Sequence, residues 1–235
     1  MRLDNYLVEN DFVQSRTKAQ TVIKNSLVSV NGNFVLKNSY KVEDTDRVEV
    51  VKHKSFVSRS AHKLDEFLNE LDLDIKGCVA LDIGSSTGGF TQVLLERGAK
   101  EVSAVDVGKG QLHKTLKSDT RVFSYESCDI REFESDKEFD LITSDVSFIS
   151  LHHILDDVDR LACAKIILLF KPQFEVGREA KRDKYGVVLD KKAIQRAMIK
   201  FEDACRIKGW SLVLKSASKL TGKEGNLEYC YCYEK

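Results

Sequence analysis

The stretch Leu81-Asp82-Ile83-Gly84-Ser85-Ser86-Thr87-Gly88-Gly89-Phe90 constrains this chain more than any other. An apolar run of strand length, Cys78-Val79-Ala80-Leu81-Asp82-Ile83, passes into a small-residue turn from Gly84 to Gly89. Phe90 to Arg97 then repeats apolar residues at helical spacing, so strand, tight turn and helix follow one another. Glycines let the backbone take positive φ and put no side chain between main chain and ligand, so a nucleoside can lie against the turn at the helix N-terminus. About twenty residues on, Val102-Ser103-Ala104-Val105-Asp106 forms a second short apolar strand ending in a carboxylate, where α/β folds place the acid that takes ribose hydroxyls.

The turn departs from GxGxxG spacing, and no GxxxxGK[ST] is present, so neither dinucleotide binding nor a P-loop is favoured. Asp-x-Gly-x-x-x-Gly-Gly-Phe followed by a strand-end Asp resembles the S-adenosylmethionine site of class I methyltransferases. That resemblance implies that Asp82, Gly84, Ser86, Gly88 and Gly89 serve the methionine end of the cofactor and Asp106 its ribose. Asp129, in Cys128-Asp129-Ile130-Arg131, is a candidate for the adenine amino group and equally for a turn cap. Phe90 is expected to pack beneath the turn.

At 235 residues the chain has room for one ordinary domain and a small one. Apolar residues at 42% and charged residues at 31% are the proportions of a folded soluble protein rather than a disordered one. The formal net charge is zero, so only the local distribution of charge speaks to nucleic-acid binding. The longest apolar run, Ile166-Ile167-Leu168-Leu169-Phe170, falls far short of the roughly 18 residues of a membrane helix, so no membrane association is expected. The opening Met1-Arg2-Leu3-Asp4-Asn5 lacks the pattern of a signal peptide, which points to the cytoplasm. The six cysteines, Cys78, Cys128, Cys163, Cys205, Cys230 and Cys232, have no CxxC spacing and mostly sit in apolar runs. They read as buried thiols in a reducing compartment and not as a zinc site, with Cys230 and Cys232 on one face of a terminal strand.

Residues 1–52 form a unit of their own, 53–59 a polar and basic join, and 60–235 the large domain. In the first, Arg2-Leu3-Asp4-x-x-Leu7-Val8 is amphipathic, Ser15 can cap a second helix carrying Ala19, Val22 and Ile23, and residues 27–50 alternate like short strands. Asn31-Gly32 marks a hairpin turn between two of them. Residues 1–60 hold ten Lys/Arg against seven Asp/Glu. So slight an excess fits a solvated face as well as a binding one. Arg-Leu-Asp-x-x-Leu, Ser15-Arg16-x-x-Ala19, Ile23-x-x-x-x-Val28 and Val30-Asn31-Gly32 resemble the alpha-L RNA-binding fold. By that resemblance Arg2, Arg16, Lys18 and Lys24, with Arg59 in the join, track RNA phosphates, contacts that carry affinity more than sequence choice.

In the large domain a helix beginning near Ser60 points Leu64, Phe67 and Leu71 one way, with Lys63 at the edge of that stripe. After the first two strands, Val122-Phe123-Ser124-Tyr125, residues 140–145 and residues 165–170 read as further strands. Helical patterns cover 110–117, 149–161 and 191–208. Residues 210–220 and 227–234 finish as two strands expected to pair antiparallel. Repeated strand and helix argues for a parallel sheet covered on both faces, with its active site at the strand C-terminal ends. Asp145 closes one such strand, Lys171 follows another, and Glu228 stands at the start of the last. Each has an ordinary reading as a loop cap or exposed strand residue. With Lys63 they form a set that one cleft can collect.

The blocks Ser58-Arg59-Ser60-x-x-Lys63-Leu64, Leu81 to Phe90, Val105-Asp106-Val107-Gly108-x-Gly110-Gln111-Leu112, Asp145-Val146-Ser147-Phe148-Ile149-Ser150, Lys171-Pro172-Gln173-Phe174-Glu175 and Gly225-Asn226-x-Glu228 are together similar to the TlyA family. The resemblance runs from Arg2 to Glu228. It implies an alpha-L RNA-binding α+β domain joined to an FtsJ-like, class I methyltransferase domain, an α/β Rossmann-like fold with a mostly parallel seven-stranded sheet. It also implies methylation of a cytidine ribose 2′-hydroxyl in ribosomal RNA, with S-adenosylmethionine as cofactor and Lys63, Asp145, Lys171 and Glu228 as the catalytic tetrad. A ribose hydroxyl is a poor nucleophile, so the enzyme must align it with the methyl donor and help remove one proton. Lys171 is the residue expected to orient and deprotonate it, with Lys63 nearby and Asp145 and Glu228 holding the two lysines. Those carboxylates also favour the ammonium form, which leaves a purely positioning role for Lys171 open. Arg178, Lys181, Arg182 and Lys184 fill a polar stretch beside the expected site, read either as a solvated loop or as a contact to RNA backbone.

Two other functions stand beside this one: a catalytically silent RNA-binding or ribosome-assembly factor, and a membrane-lytic haemolysin, a name this family has carried. The complete tetrad counts against the first, and the lack of a span, signal peptide or strongly cationic amphipathic helix against the second. The short form of the family resembles the type that acts on the large ribosomal subunit, which favours 23S over 16S RNA.

Overall fold

The computed structural model describes residues 1–24, 27–43, 45–50 and 56–235, and the chain divides into two compact units, Met1–Ser55 and Phe56–Lys235. His53, Lys54 and Ser55 of the expected join lie outside the described residues.

The first unit runs α1 (Leu3–Glu9), α2 (Arg16–Lys24), β1 (Val28–Val30), β2 (Asn33–Phe34) and β3 (Val48–Val50). Ser15 Oγ accepts the Lys18 amide at 3.3 Å and so caps α2. β1 pairs antiparallel with β2 and β3. Between paired Val30 and Asn33, Asn31 and Gly32 take φ of 51° and 79°, the left-handed pair that a two-residue hairpin turn requires. Leu3, Leu7, Ala19, Ile23, Val28 and Val30 are buried together as its core. Asp4 is buried beside them, and its carboxylate accepts Arg2 Nε and Nη2, each at 2.9 Å, and Arg16 Nε at 3.1 Å. The Arg2 guanidinium, with that of Arg16, holds this carboxyl well below the usual carboxylate range.

The second unit begins with α3 (Ser60–Leu71), β4 (Val79–Ile83), α4 (Gly89–Glu96), β5 (Glu101–Asp106), α5 (Lys114–Lys117), β6 (Val122–Glu126) and β7 (Phe139–Ser144). α6 (Leu155–Leu161), β8 (Ala162–Phe170), α7 (Pro172–Glu175), α8 (Lys191–Ile207), β9 (Ser211–Ala217) and β10 (Tyr229–Glu234) complete it. Its strands form one seven-stranded sheet in the order β6-β5-β4-β7-β8-β10-β9. The first five are parallel, and β10 runs antiparallel to both β8 and β9. Side chains alternate across the sheet. Leu81, Ile83, Ile166, Leu168, Tyr231 and Tyr233 pack in one core with α6 and α8. Ala80, Ile167, Leu169, Cys230 and Cys232 pack in the other with α3 and α4, so the last two cysteines do share a face. Among the described residues no helix is long and apolar enough to cross a membrane.

Two expected helices are shorter than their patterns. Of residues 110–117 only Lys114–Lys117 are helical, because Gly110 sits at φ 69° and His113 is extended and caps Thr115. Within 149–161, Ser150 is extended and caps a single 3-10 turn, Leu151–His153, and Ile154 at φ −121° separates that turn from α6. β8 then starts at Ala162, earlier than the expected 165. Cys163 is exposed, and Cys78 and Cys128 are only partly covered, which corrects the expectation of generally buried thiols.

Phe201 of α8 is fully buried, with the rings of Phe170 and Tyr231 5.3 and 5.1 Å away. Phe201→Ala should cost this unit about 3–5 kcal/mol. Urea unfolding of wild type and variant checks it.

Candidate active site

The strand order reverses between β4 and β7, because the chain builds β4, β5 and β6 outward on one side and β7 and β8 on the other. Loops leaving adjacent parallel strands part at such a point and leave a crevice. A cavity of about 360 Å³ lies there, lined by the ends of β4 (Ile83, Gly84, Ser86) and β5 (Val105, Asp106, Val107) and the segments after β6 (Cys128, Asp129, Ile130) and β7 (Asp145 to Ile149).

Amides of Gly84 and Ser85 donate to Val105 O at 2.9 and 3.2 Å, which seats the turn on the neighbouring strand. Gly84 has φ 77°, and a Cβ there would come within 3.2 Å of the Val146 backbone, so this position needs glycine. Asp106 accepts the amides of Ser86 at 2.7 Å and Gly108 at 2.6 Å, one on each carboxylate oxygen. Further lone pairs on those oxygens can receive hydroxyls from the cavity. Asp129 also lines the cavity, and Arg131 grips its carboxylate through Nε at 2.9 Å and Nη2 at 2.5 Å, lowering its proton affinity.

Three of the residues expected at the cofactor do not line this cavity. Asp82 is fully buried, bonded by Thr91 Oγ1 at 2.6 Å and Thr143 Oγ1 at 3.2 Å, so it ties β4 to α4 and β7. At Gly88 a Cβ would run into Leu116 and Leu112, and at Gly89 into the hydroxyls of Ser58 and Ser60. Packing closes both positions to a side chain, and Gly88 also sits at φ 93°. Phe90 is buried beneath the turn, as its apolar spacing predicts. Gln111, bonded by Ser86 Oγ at 2.9 Å, lines the cavity although sequence reasoning gave it no role.

Beside the cavity the ends of β7 and β8 and the start of β10 bring four charged side chains together as two ion pairs. Lys63, on α3, turns inward and its ammonium stands 2.5 Å from Glu228 Oε2; both side chains are largely buried. Lys171 Nζ stands 2.6 Å from Asp145 Oδ1 and donates to Asp145 O at 3.3 Å and Ser147 Oγ at 2.8 Å. Phe170 pairs with Tyr229, which sets Lys171 and Glu228 at neighbouring ends of antiparallel strands. Gln173 Nε2 donates to Glu228 Oε1 at 2.9 Å. Burial pushes the neighbouring Cys230 thiol up to about 12, against the influence of Lys63 and reinforced by Asp145 and Glu228.

Arg178, Arg182, Arg131 and His153 line a polar hollow together with Phe148 and Phe174. Arg182 Nη1 donates to Gln173 O at 3.1 Å, so this guanidinium braces the segment after α7, while Arg178 is exposed. Asn226 Oδ1 accepts the Val188 amide at 2.9 Å, pinning the 181–188 stretch to the Glu228 segment. Phe148 is 91% exposed at φ 67°, its ring 5.3 Å from that of Phe174. In the first unit, Arg16, Lys18 and Lys24 are exposed along α2, and Arg2 stands beside Arg16 on Asp4. Arg59 is exposed at the start of α3.

Family models match both units: the FtsJ-like methyltransferase over residues 56–235 and the S4 domain over residues 1–48. A 23S rRNA (cytidine-2′-O)-methyltransferase TlyA from Campylobacter jejuni is 45% identical, with 100% of each chain covered. A 16S/23S rRNA (cytidine-2′-O)-methyltransferase TlyA from Mycobacterium tuberculosis is 38% identical over 97% of this chain and 87% of its own. A solved structure from Streptococcus thermophilus that carries the name hemolysin matches with a TM-score of 0.73 and 32% identity, covering 100% of this chain and 88% of that one.

Burial, reinforced by the charge of Asp145, pushes Asp82 up to about 7 from 3.8 against the bonds from Thr91 and Thr143. The folded protein then keeps a proton that the unfolded chain releases near about pH 4, so stability present below that pH is lost as pH rises toward about 7. Relative to wild type, Asp82→Asn should gain up to about 1.4 kcal/mol per pH unit across that window and be level above it. Urea unfolding of both proteins at a series of pH values checks this.

Proposed function

This chain belongs to the TlyA family of FtsJ-like methyltransferases, and on that premise we propose that it methylates a cytidine ribose 2′-hydroxyl in ribosomal RNA, with 23S RNA as its substrate. The observation that carries the chemistry is the pair of buried lysine–carboxylate contacts, Lys63 with Glu228 and Lys171 with Asp145, beside a cavity at the sheet's switch point.

The cavity suits S-adenosylmethionine. Its apolar walls, Ile83, Val105, Ile130, Val146 and Ile149, can flank an adenine, Asp106 can accept the nucleoside hydroxyls, and Gly84 leaves the turn open for close approach. When bound there, the cofactor supplies a methyl group already activated on a sulfonium. The protein's task is to place the ribose oxygen in line and take its proton. Lys171 receives that proton at Nζ while Asp145 fixes its position, and Glu228 holds Lys63 as a second cation beside the reacting oxygen. Gly88, Gly89 and Asp82 act through the shape of the turn.

RNA engages the first unit through Arg2, Arg16, Lys18 and Lys24, the first two presented as a rigid fork by Asp4. Arg59, Arg178 and Arg182 serve the methyltransferase unit, Arg182 mainly by shaping the loop that carries Arg178. The exposed ring of Phe148 is suited to stack on an unpaired base. The 23S assignment follows the name of the relative at 45% identity over its whole length.

Incubation with tritiated-methyl S-adenosylmethionine and separate unmodified large subunits, small subunits and naked RNA tests the reading. Label is expected on a 23S cytidine, with Lys171→Ala lowering it by about 10²-fold or more. A labelled 16S cytidine overturns the choice of RNA, and cofactor binding without transfer to any RNA favours the silent assembly factor. Arg16→Ala with Lys18→Ala should weaken RNA binding and flatten its dependence on log salt by about one unit or more, measured by filter binding across a salt series.

A further inference from the structure

Lys171, the residue given the proton in the reading above, does not face the cavity. It is 7% exposed and is not among the cavity's lining residues, whereas Asp145 and Ser147 are. Three protein oxygens surround its ammonium: the Asp145 carboxylate, an ion pair at 2.6 Å, and two hydrogen-bond acceptors, the Asp145 carbonyl at 3.3 Å and Ser147 Oγ at 2.8 Å. The first two belong to the residue that closes β7. The third is the side chain of an exposed residue in the loop that forms the cavity wall. A ribose hydroxyl brought from solvent to a cofactor in the cavity can therefore reach the exposed Ser147 oxygen, whereas the Lys171 nitrogen bonded to it is buried. A serine hydroxyl bonded to one partner still has a proton and a lone pair for another, so it can join the two.

We infer that Ser147 is a catalytic residue: its hydroxyl touches the target 2′-hydroxyl and passes the proton on to Lys171. This rests on the methyltransferase reading. The step begins once Lys171 has released a proton to solvent, so that its contact with Ser147 runs from the hydroxyl to the amine lone pair. The O2′–H bond breaks and its proton joins Ser147 Oγ, while the serine's own hydroxyl proton moves to the lone pair of Lys171 Nζ. The pair left on O2′ forms the bond to the methyl carbon as that carbon's bond to sulfur breaks. Serine is regenerated within the step, and Lys171 ends as an ammonium that returns its extra proton to solvent. Removal of the hydroxyl leaves a gap between donor and acceptor, which is the reason for the size of the expected loss.

Steady-state methylation of the RNA by Ser147→Ala, Ser147→Thr and Lys171→Ala, with S-adenosylhomocysteine affinity by calorimetry, reads the relay. Acetylation of Lys171 by acetic anhydride, followed by mass spectrometry without RNA or cofactor, reads whether the hydroxyl covers the amine. Ser147→Ala should lower kcat by about 10²- to 10⁴-fold with KM for RNA and S-adenosylhomocysteine affinity within about threefold, and should speed Lys171 acetylation. Ser147→Thr, which keeps the hydroxyl, should recover most of the lost rate. A Ser147→Ala enzyme within about threefold of wild type in kcat, beside an inactive Lys171→Ala, overturns the relay and leaves the lysine in place. Loss of S-adenosylhomocysteine binding in Ser147→Ala, or a Ser147→Thr enzyme as slow as Ser147→Ala, also overturns it. A fully active Lys171→Ala enzyme overturns the reading on which the relay stands.

Discussion

A charge removed from water has to be paired, and the pairing of Lys63 with Glu228 joins two positions far apart in the chain. Neither group tolerates burial alone, so α3 and the start of β10 must meet for either to be placed. The same constraint holds Lys171 against Asp145 across β7 and β8. These contacts are weak evidence of stability, because desolvation offsets much of their attraction. Their effect is geometric, since they leave the two ammonium groups only one arrangement in which every charge is answered.

That arrangement is possible because of how the sheet is ordered. Parallel β4, β5, β6, β7 and β8 put their C-terminal ends on one edge, and antiparallel β10 brings its beginning to the same edge. A carboxylate that precedes β10 thus stands beside a lysine that follows β8. The switch between β4 and β7 opens the cavity next to them. The two ion pairs and the cavity beside them are therefore consequences of one topology.

Much of this was legible in the sequence where function and local structure use the same signal. The run from Leu81 to Phe90 announces strand, turn and helix, Asp106 closes the next strand, and Asn31-Gly32 makes its hairpin. It is less legible where one residue type answers two physical demands. Gly88 and Gly89 look like a ligand cradle, yet leucine side chains and serine hydroxyls occupy the space a Cβ would need. Asp82 sits in the glycine-rich motif, but its place in β4 points it into the core. Helix lengths were overestimated because apolar spacing continues through residues such as Ser150 and Ile154, whose backbones are not helical. Asp4 and Ser147 fall within quoted motifs yet carry no role of their own there, for another reason. One is a carboxylate amid cations and the other a hydroxyl among many, and only distances reveal that they organise the arginines of the first unit and cover the lysine of the second.

The place of β10 in the sheet bears on how the protein comes into being. It lies between β8 and β9, yet it follows every other strand of the sheet in chain order, so its place is in the sheet's interior rather than at an edge. Until it is placed there Lys63 has no carboxylate, and β8 and β9 have no common neighbour. Completion of the four-residue cluster thereby waits on the strand that is made last among the seven, and the first unit can already be present while that cluster is not.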